Sequence, residues 1–213
     1  MITDERITSY IHSLAGNDSP ICMQIEREAL ADRVPIIRKE MGSFLKTVLA
    51  QKHPKNILEV GAAVGYSSIL MSENIDEDAK ITTIENYDKR IIKARENIKM
   101  AGKENVITLL EGDAGQILKT LSGSYDFIFM DAAKAQYIVI LPEILRLLSS
   151  GGILITDNVL QGGDLVQSRF AVCRRDRTIH SRMREYLYDV THNDELVTSV
   201  IPLGDGITFS VKR

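Results

Sequence analysis

From Asn56 to Asp157, short apolar runs alternate with longer segments whose apolar residues recur at helical spacing. The apolar runs cover residues 56–60, 80–85, 106–111, 125–131 and 152–157, and the helical segments lie near 66–75, 88–101, 115–121 and 135–148. Successive strand, helix and strand segments form parallel strand pairs with helical crossovers. The alternation therefore predicts an α/β fold with a mostly parallel sheet and helices on both faces.

The two ends of the chain depart from this alternation. Residues 1–50 contain no strand pattern and predict three helices near 3–15, 20–32 and 36–50. After a helical segment near 174–190, two apolar runs at 195–203 and 206–213 flank Gly204-Asp205-Gly206, which is typical of an antiparallel hairpin. We predict one domain over residues 1–213, with 1–50 as a helical lead-in.

The charge balance and the cysteines exclude several classes of protein. A formal net charge of -3 excludes a generally basic nucleic-acid-binding domain. No apolar run reaches membrane-spanning length, and the first 14 residues resemble neither a secretory signal nor a transit peptide. Cys22 and Cys173 are isolated and have no CxxC spacing, which argues against a disulfide framework or a zinc site. We predict a cytoplasmic protein without a membrane partner.

Every predicted parallel strand ends at an acidic side chain: Glu59, Glu85, Glu111, Asp131 and Asp157. In an open parallel sheet, ligands bind outside the carboxyl ends of the strands, so these acids are predicted to share one edge. The loop after the first strand is Gly-x-x-x-Gly, and it lacks the GxGxxG pattern by which dinucleotide folds receive a pyrophosphate. An acidic edge also disfavours a pyrophosphate.

The loop from Gly61 to Gly65, with Glu59 two residues before it, is similar to motif I of the class I S-adenosylmethionine-dependent methyltransferases. That ligand carries an ammonium and a sulfonium and no phosphate, so nearby carboxylates favour it. In this interpretation Glu85 binds the ribose hydroxyls, and Asp113 with the residue after it lies beside the adenine. The alternatives are a solvated charge at Glu85, simple turn glycines, and a helix N-cap at Asp113.

Two of the strand ends also predict a metal site. Asp131, Asp157 and Asn158 follow neighbouring strands, and their carboxylate and amide oxygens are hard ligands of the kind that Mg²⁺ prefers. An incomplete shell of this kind leaves coordination positions for a substrate. The alternative is that Asp157 and Asn158 only stabilise a turn.

Three stretches, at residues 57–68, 131–134 and 156–160, together resemble the cation-dependent O-methyltransferases, the family that includes the caffeoyl-CoA and catechol enzymes. The resemblance covers about residues 35–213 and implies a Rossmann-like class I methyltransferase fold with a seven-stranded sheet. It implies S-adenosylmethionine as cofactor, Mg²⁺ or another divalent cation as metal, and a homodimer. The cofactor site that it implies consists of Ile37, Glu59, Gly61, Ser67, Glu85, Asp113, Ala114 and Asp131. The metal ligands that it implies are Asp131, Asp157 and Asn158.

The resemblance also implies that Lys134 is the catalytic base, with Asp131 beside it in the catalytic centre. A lysine close to a divalent cation loses its proton more easily than an isolated lysine, since like charges disfavour the ammonium form. It could then accept a proton from a substrate hydroxyl. The alternative is a solvated lysine at the start of a helix.

The acceptor is suggested by a closer similarity, to the bacterial members of the family that methylate 5-hydroxyuridine at the tRNA wobble position. The features that carry it are the PII stretch at 35–37, the glycine-containing loop after residue 160, an arginine-rich segment, and the ending at 202–213. The 5-hydroxyl and the adjacent carbonyl oxygen of that base could chelate one cation as a catechol does. The alternative acceptor is a small catechol-like or acyl-CoA molecule, although the chain has no Trp and only 6% aromatic residues.

Residues 169–184 concentrate positive charge on an otherwise acidic chain. This segment has six arginines and a single acid, Asp176, in sixteen residues. We expect it to bind the phosphates of a tRNA anticodon loop through Arg169, Arg174, Arg175, Arg177, Arg182 and Arg184. The alternatives are a solvated helix face and a dimer contact that pairs with acids such as Glu185 and Asp189.

Two other functions remain as alternatives for the whole protein. One is a binding module without catalysis, and the other is a nicotinamide-dependent dehydrogenase.

Overall fold

The computed structural model of the protein describes residues 4–213, so residue 3, where the first predicted helix begins, lies outside the described residues. Eight α-helices and seven β-strands follow one another in the described chain. The helices are α1 Glu5–Leu14, α2 Pro20–Ala31, α3 Lys39–Lys52, α4 Tyr66–Ser72, α5 Asp88–Met100, α6 Ala114–Thr120, α7 Tyr137–Leu147 and α8 Arg177–His192. The strands are β1 Asn56–Val60, β2 Lys80–Glu85, β3 Ile107–Glu111, β4 Tyr125–Met130, β5 Leu148–Thr156, β6 Leu196–Ile201 and β7 Ile207–Lys212. Short 3₁₀ turns cover Lys134–Gln136, Gln161–Val166 and Arg174–Asp176.

The strands form a single sheet in the order β3-β2-β1-β4-β5-β7-β6. The first five strands pair in parallel, whereas β7 runs antiparallel to both β5 and β6. The prediction of a mostly parallel seven-stranded sheet with an antiparallel C-terminal hairpin is therefore confirmed. Because the chain builds β1, β2 and β3 in one direction and then crosses to β4, the strand order reverses between β1 and β4, where such sheets bind ligands.

Alternate residues of the central strands face two hydrophobic layers, as expected from the two-residue period of a strand. Ile57 and Phe127 pack in the layer beneath α2, α3 and α4, and Leu58 and Ile128 pack in the layer beneath α7 and α8. All four side chains are fully buried. Since both faces are covered, the strands read in sequence as nearly continuous apolar runs.

Several element bounds differ from the predictions, and three of these differences bear on the site or the sheet. Helix α3 begins at Lys39 and not at 36, because the backbone after Pro35 stays extended and Arg38, at φ -74 and ψ 159, is the N-cap residue. Strand β5 begins at Leu148, with an irregular register between its pairs to Tyr125 and Phe127. The segment predicted as a helix near 174–190 starts with a 3₁₀ turn, and its α-helix begins at Arg177. Within residues 4–213, no helix has the length and apolar character that a membrane span requires.

Candidate functional site

A cavity of about 360 Å³ opens at the carboxyl ends of β1, β2 and β4, at the reversal of strand order. Seven of the eight residues predicted to contact the cofactor line it: Ile37, Gly61, Ser67, Glu85, Asp113, Ala114 and Asp131. Sequence reasoning missed other lining residues, among them Asn86, Arg90 and Gln136. Arg90 follows no strand end directly, so only the fold brings it to this edge.

The loop between β1 and α4 forms one wall of the cavity and depends on its two glycines. Gly61 has a φ of 108°, and a Cβ added there would collide with the main-chain carbonyl of Asp131. Gly65 is the N-cap residue of α4, with a φ of 80° in the left-handed region that L-residues with side chains rarely adopt. The turn interpretation of these glycines is therefore correct, and it is compatible with cofactor binding, because the tight turn keeps the backbone against the cavity.

Glu85 is almost fully buried, and its carboxylate organises this loop. Its Oε2 accepts a hydrogen bond from the main-chain nitrogen of Ala63 at 2.8 Å. Its Oε1 accepts from the nitrogens of Asn86 and Tyr87 at 2.9 and 3.0 Å. A carboxylate has about four acceptor positions, so these three bonds leave one for a ligand hydroxyl. Glu85 is thus not the freely solvated charge that the sequence left open.

Glu59 is the one predicted cofactor residue that does not line the cavity, because its side chain is fully buried beneath the loop. Its Oε2 accepts hydrogen bonds from the hydroxyls of Ser68 and Thr83. Within the described part of the chain, its Oε1 has no hydrogen-bond partner. Burial raises the pKa of Glu59, and the surrounding hydroxyls lower it in part. The unpaired oxygen lies behind the loop, outside the lining of the cavity.

Asp113 caps helix α6 and lines the cavity at the same time. Its Oδ1 accepts a hydrogen bond from the main-chain nitrogen of Gln116 at 3.1 Å. The N-cap interpretation is therefore correct. It does not conflict with the adenine interpretation, because Ala114 and Gly115 next to it also face the cavity.

The three predicted metal ligands lie together at the ends of β4 and β5. Asn158 Nδ2 is 3.2 Å from Asp131 Oδ1, and the main-chain nitrogen of Asn158 donates to Asp157 Oδ1 at 2.6 Å. Asn158 has a φ of 61°, a left-handed conformation that asparagine tolerates better than most residues. Tyr137 Oη donates to the main-chain oxygen of Asp157 at 3.2 Å and fixes the backbone behind the site.

The surroundings of Asp131 and Asp157 raise the pKa of both carboxyl groups. Burial raises the pKa of Asp131 to about 6, while the positive charge of Lys134 and the hydrogen bond from Asn158 act against this rise. Burial raises the pKa of Asp157 to about 7, and the negative charge of Asp131 raises it further. Two buried acids that repel each other are relieved when a cation lies between them.

The donor set fits a hard divalent cation only with the amide included. Among residues 4–213, no group of three or more His, Cys, Asp and Glu side chains is placed to hold a metal. Asp131 and Asp157 supply two carboxylates. The Asn158 side chain, 3.2 Å from Asp131, offers an amide as the third donor. Its amide points its nitrogen at Asp131, and a rotation of the amide exchanges nitrogen for oxygen.

A second cavity, of about 240 Å³, adjoins Asp157 and Asn158 on the side of the hairpin loop. Arg38 and Asp205 line it and form an ion pair with an Nη2 to Oδ2 distance of 3.1 Å. None of the described residues that line this cavity is aromatic. Sequence reasoning missed this pair, because the two residues are 167 positions apart and each occurs in a locally ordinary context.

Lys134 begins the 3₁₀ turn after β4 and is half-buried. Its positive charge lowers the pKa of both Asp131 and Asp157, so the ammonium lies within electrostatic reach of both carboxylates. Lys134 does not line the 360 Å³ cavity. It therefore lies beside the predicted metal ligands rather than in the predicted cofactor site.

The arginine segment forms an exposed surface, and its six arginines are not equivalent. Arg169, Arg174, Arg175, Arg182 and Arg184 are exposed, and Arg177 is half-buried. Arg175 pairs with Asp176 at 3.5 Å. The guanidinium of Arg177 lies 5.6 Å from the centroid of the Phe170 ring.

Arg182 is already engaged, since its Nη1 donates to the main-chain oxygen of Ala135 at 3.1 Å. Ala135 directly follows Lys134. This contact joins α8 to the turn that carries Lys134, and it gives Arg182 a structural role that the sequence did not indicate. The arginine surface and the predicted catalytic lysine therefore share one side of the molecule.

Comparisons of the sequence and of the structure with known proteins all match this chain to methyltransferases. The model of the O-methyltransferase family matches residues 13–213. The chain is 32% identical over 181 residues to a caffeoyl-CoA O-methyltransferase of Stellaria longipes, covering 79% of this chain and 72% of that enzyme. It is 30% identical over 168 residues to a catechol O-methyltransferase of Niastella koreensis, covering 76% of each. The crystal structure of an SAH-bound methyltransferase of Podospora anserina is similar with a TM-score of 0.89 and 26% identity, covering 98% of this chain and 94% of that one.

Proposed function

The chain belongs to the O-methyltransferase family and is an S-adenosylmethionine-dependent O-methyltransferase, and on this premise we propose that it methylates the 5-hydroxyl of 5-hydroxyuridine at the wobble position of tRNA. The product is 5-methoxyuridine. One observation carries this proposal: helix α8 exposes arginines and also contacts the Lys134 turn through Arg182. A phosphate-binding surface therefore adjoins the proposed catalytic lysine, and an unpaired anticodon base can enter a pocket at modest cost.

The 360 Å³ cavity is the proposed cofactor site. Glu85 retains one acceptor position for a ribose hydroxyl, and Glu59 has an unpaired buried oxygen behind the glycine loop, among the described residues. These carboxylates favour a ligand with an ammonium and a sulfonium over one with a pyrophosphate. S-Adenosylmethionine supplies an activated methyl group on its sulfonium. Ile37 covers the cavity from the extended segment before α3.

Asp131, Asp157 and Asn158 are the proposed ligands of Mg²⁺ or a similar divalent cation. The support is the donor set itself, with two buried carboxylates whose pKa values are raised and one amide that can turn its oxygen inward. When bound, a divalent cation supplies positive charge that polarises an acceptor hydroxyl and its neighbouring oxygen. Tyr137 fixes the backbone of Asp157, so this ligand needs little rearrangement.

Lys134 is the proposed general base. It accepts the proton of the acceptor hydroxyl at Nζ. The electron pair that remains on the oxygen forms the new bond to the methyl carbon as the bond from that carbon to the sulfonium sulfur breaks, and the electron pair of the broken bond stays on the sulfur. To act as a base Lys134 must be a neutral amine, and the positive charge of a cation bound at Asp131 and Asp157 would favour that form. Much of the acceleration is expected to come from orientation, since three elements converge here: the ends of β4 and β5 and the turn that carries the lysine.

The 240 Å³ cavity beside Asp157 and Asn158 is the proposed acceptor pocket. It is lined by polar and aliphatic side chains, including the Arg38–Asp205 ion pair. A pyrimidine with several carbonyl and N–H groups suits such a lining better than a phenylpropanoid ring, which aromatic side chains would stack against.

A small catechol-like or acyl-CoA acceptor is the second candidate. The observation that favours it is the similarity to caffeoyl-CoA and catechol O-methyltransferases at 30–32% identity. The chemistry would be unchanged, because a catechol also presents two adjacent oxygens. The two candidates differ in whether the arginine surface is needed for activity.

The decisive experiment is methyl transfer to tRNA that carries 5-hydroxyuridine, with S-adenosylmethionine and Mg²⁺, followed by nucleoside mass spectrometry. We expect 5-methoxyuridine, and we expect EDTA to abolish it and added Mg²⁺ to restore it. The matched control is the same tRNA without the 5-hydroxyl. Confirmed cofactor binding with no 5-methoxyuridine, together with turnover of a catechol, would overturn the tRNA assignment.

Charge reversal separates the two acceptors further. Arg174→Glu with Arg175→Glu is expected to raise the KM for tRNA strongly and to make that KM less dependent on salt, because fewer phosphate contacts are left to release counterions. The matched control is Lys99→Glu, an exposed cation in the last turn of α5, on a different helix. Unchanged KM for tRNA in the double variant would assign the arginines to another role.

We also propose that the enzyme is a cytoplasmic homodimer. Cys22 and Cys173 are both unpaired, which suits a reducing compartment. Helix α1 exposes four apolar side chains at helical spacing, which suits a contact with a second copy: Ile7, Tyr10, Ile11 and Leu14. Light scattering after gel filtration tests this proposal, with Leu14→Glu expected to give monomers and Ser13→Glu as the control. A wild-type monomer would contradict it.

A further inference from the structure

Phe170 is the most exposed aromatic side chain among residues 4–213. It exposes 80% of its surface in the segment between two 3₁₀ turns, Gln161–Val166 and Arg174–Asp176. An aromatic ring left in water is unfavourable. A ring in this position therefore suggests a contact with a partner.

The ring is backed by a cation. The guanidinium of Arg177 lies 5.6 Å from the ring centroid, and Arg177 Nη2 is 3.5 Å from the main-chain oxygen of Phe170. Arg177 is half-buried and belongs to the first turn of α8, so it holds the ring from the protein side. A flat ring supported on one side and open to solvent on the other is the form of a stacking platform.

The surroundings select the kind of partner. Arg169 precedes the ring, and Arg174 and Arg175 follow within five residues, all exposed. Asp176 is the single acid of the segment and pairs with Arg175. Aromatic rings between cations are the combination by which proteins bind single-stranded nucleic acids: bases stack on the rings and phosphates contact the cations.

We propose that Phe170 is the stacking platform for an unpaired base of the RNA substrate, close to the nucleotide that is methylated. This inference rests on the proposed function, and it adds a residue and a mode of recognition that the arginines alone do not provide. Stacking tolerates any base, since every base has a π-face. Phe170 thus contributes affinity for an exposed loop rather than selection of the acceptor base.

The connection to the catalytic centre follows from the chain path. Asn158 and Phe170 are joined by one short segment, and Arg177, which supports the ring, lies on the same helix as Arg182, which contacts the Lys134 turn. Five residues of helix rise about 7.5 Å, and stacked nucleotides of one strand are spaced by about 3.4 Å. The ring and the turn that carries Lys134 are therefore linked through α8, and we expect the stacked base to lie on the same side of the protein as the acceptor.

Fluorescence provides a direct test, because the chain contains no tryptophan. Phe170→Trp introduces a single indole at the platform, and stacking against a base quenches indole emission. We expect saturable quenching when this variant is titrated with an anticodon stem-loop RNA of about 17 nucleotides, whose loop bases are unpaired. Val166→Trp is the matched control, since Val166 is 84% exposed in the same region of the chain and lies outside the arginine-rich segment.

Either of two results would overturn the platform. One is the absence of quenching in Phe170→Trp at RNA concentrations where the wild type is saturated. The other is equal quenching in Val166→Trp, which would indicate a diffuse encounter rather than stacking at one position. Quenching confined to Phe170→Trp supports the proposal.

Kinetics give the second test. Phe170→Ala is expected to raise the KM for tRNA about tenfold, with kcat nearly unchanged, and Phe170→Trp is expected to restore the KM. A small catechol acceptor, if it is turned over, is expected to show no difference between the variants. An unchanged KM for tRNA in Phe170→Ala would contradict the platform even if the arginine variants fail.

The two proposals fail in different ways. If the wild type transfers no methyl group to 5-hydroxyuridine but RNA quenches Phe170→Trp, the acceptor assignment is wrong and the platform stands. If the wild type methylates tRNA and Phe170→Ala does so with the same KM, the acceptor assignment stands and the platform is wrong.

Discussion

Arg182 Nη1 donates a hydrogen bond to the main-chain oxygen of Ala135 at 3.1 Å and thereby joins helix α8 to the turn that carries Lys134. The sequence suggested that Arg182 binds phosphate like its neighbours. Its partner in the structure indicates a different main role, in which the arginine fixes the position of the turn that carries Lys134.

We predict that Arg182→Ala lowers kcat by about tenfold or more, because a small displacement of a catalytic group is costly, and changes the KM for tRNA little. Arg184 is exposed on the same helix, and Arg184→Ala is expected to do the reverse, raising KM without a loss in kcat. Steady-state kinetics on tRNA distinguish the two. If Arg182→Ala raises only KM, Arg182 is a phosphate contact, as its sequence context suggested.

The buried carboxylates predict a pH-dependent stability of the metal-free enzyme. The pKa of Asp157 is raised to about 7 from an unfolded value near 3.9. The stabilisation that comes from the protonated form of Asp157 is complete at pH values below its pKa in the unfolded chain. It is lost as the pH rises through its pKa in the folded protein. Asp157→Asn keeps an acceptor for the Asn158 nitrogen and removes this loss. At about 1.4 kcal/mol per pKa unit, the variant should gain at most about 4 kcal/mol relative to wild type between pH 4 and pH 8.

Denaturant unfolding in EDTA at several pH values measures this difference. Added Mg²⁺ is expected to stabilise the wild type at pH 8, to have less effect at pH 5, where the carboxylates are protonated, and to have no effect on Asp157→Asn. A difference that stays constant with pH would show that Asp157 ionises normally in the folded protein.

The sheet could be predicted closely because local sequence determines it. Strands β1 and β2 have the predicted bounds, 56–60 and 80–85, since each is a short apolar run bounded by residues that end a strand. The start of α3 could not be predicted in this way. Ile36 and Ile37 continue the helical spacing of the apolar residues in α3, but after Pro35 the backbone stays extended, and both residues line the cavity.

The site was predictable where it depends on the ends of strands. Asp131, Asp157 and Asn158 follow β4 and β5 directly, so the parallel register alone brings them together. The contacts between Arg182 and Ala135 and between Arg38 and Asp205 join residues 47 and 167 positions apart. Neither contact has a local pattern, so only the packed structure reveals it. The burial of Glu59 beneath the loop has no local sequence pattern either, because it depends on how α4 packs over β1.

Lys134 should be required for chemistry and not for cofactor binding. Lys134→Ala is expected to lower kcat by about 10²- to 10⁴-fold, the usual contribution of a general base, and to leave the Kd for S-adenosylmethionine unchanged, because Lys134 does not line the cofactor cavity. Single-turnover kinetics and calorimetry measure the two quantities. Partial restoration of the rate by an added primary amine would support a proton acceptor at this position, and full turnover without any amine would exclude Lys134 as the base.

Gly61 connects the proposed cofactor site to the proposed metal site through the main chain of Asp131. A Cβ at position 61 would collide with the Asp131 carbonyl, and the φ of 108° is unfavourable for any residue with a side chain. We therefore predict that Gly61→Ala lowers the free energy of unfolding by about 2–4 kcal/mol and weakens binding of both S-adenosylmethionine and Mg²⁺. Gly16→Ala is the control, since nothing lies within 4 Å of its added Cβ, and it should leave both affinities unchanged. Unchanged Mg²⁺ binding in a folded Gly61→Ala would contradict a coupling of the two sites through the main chain of Asp131.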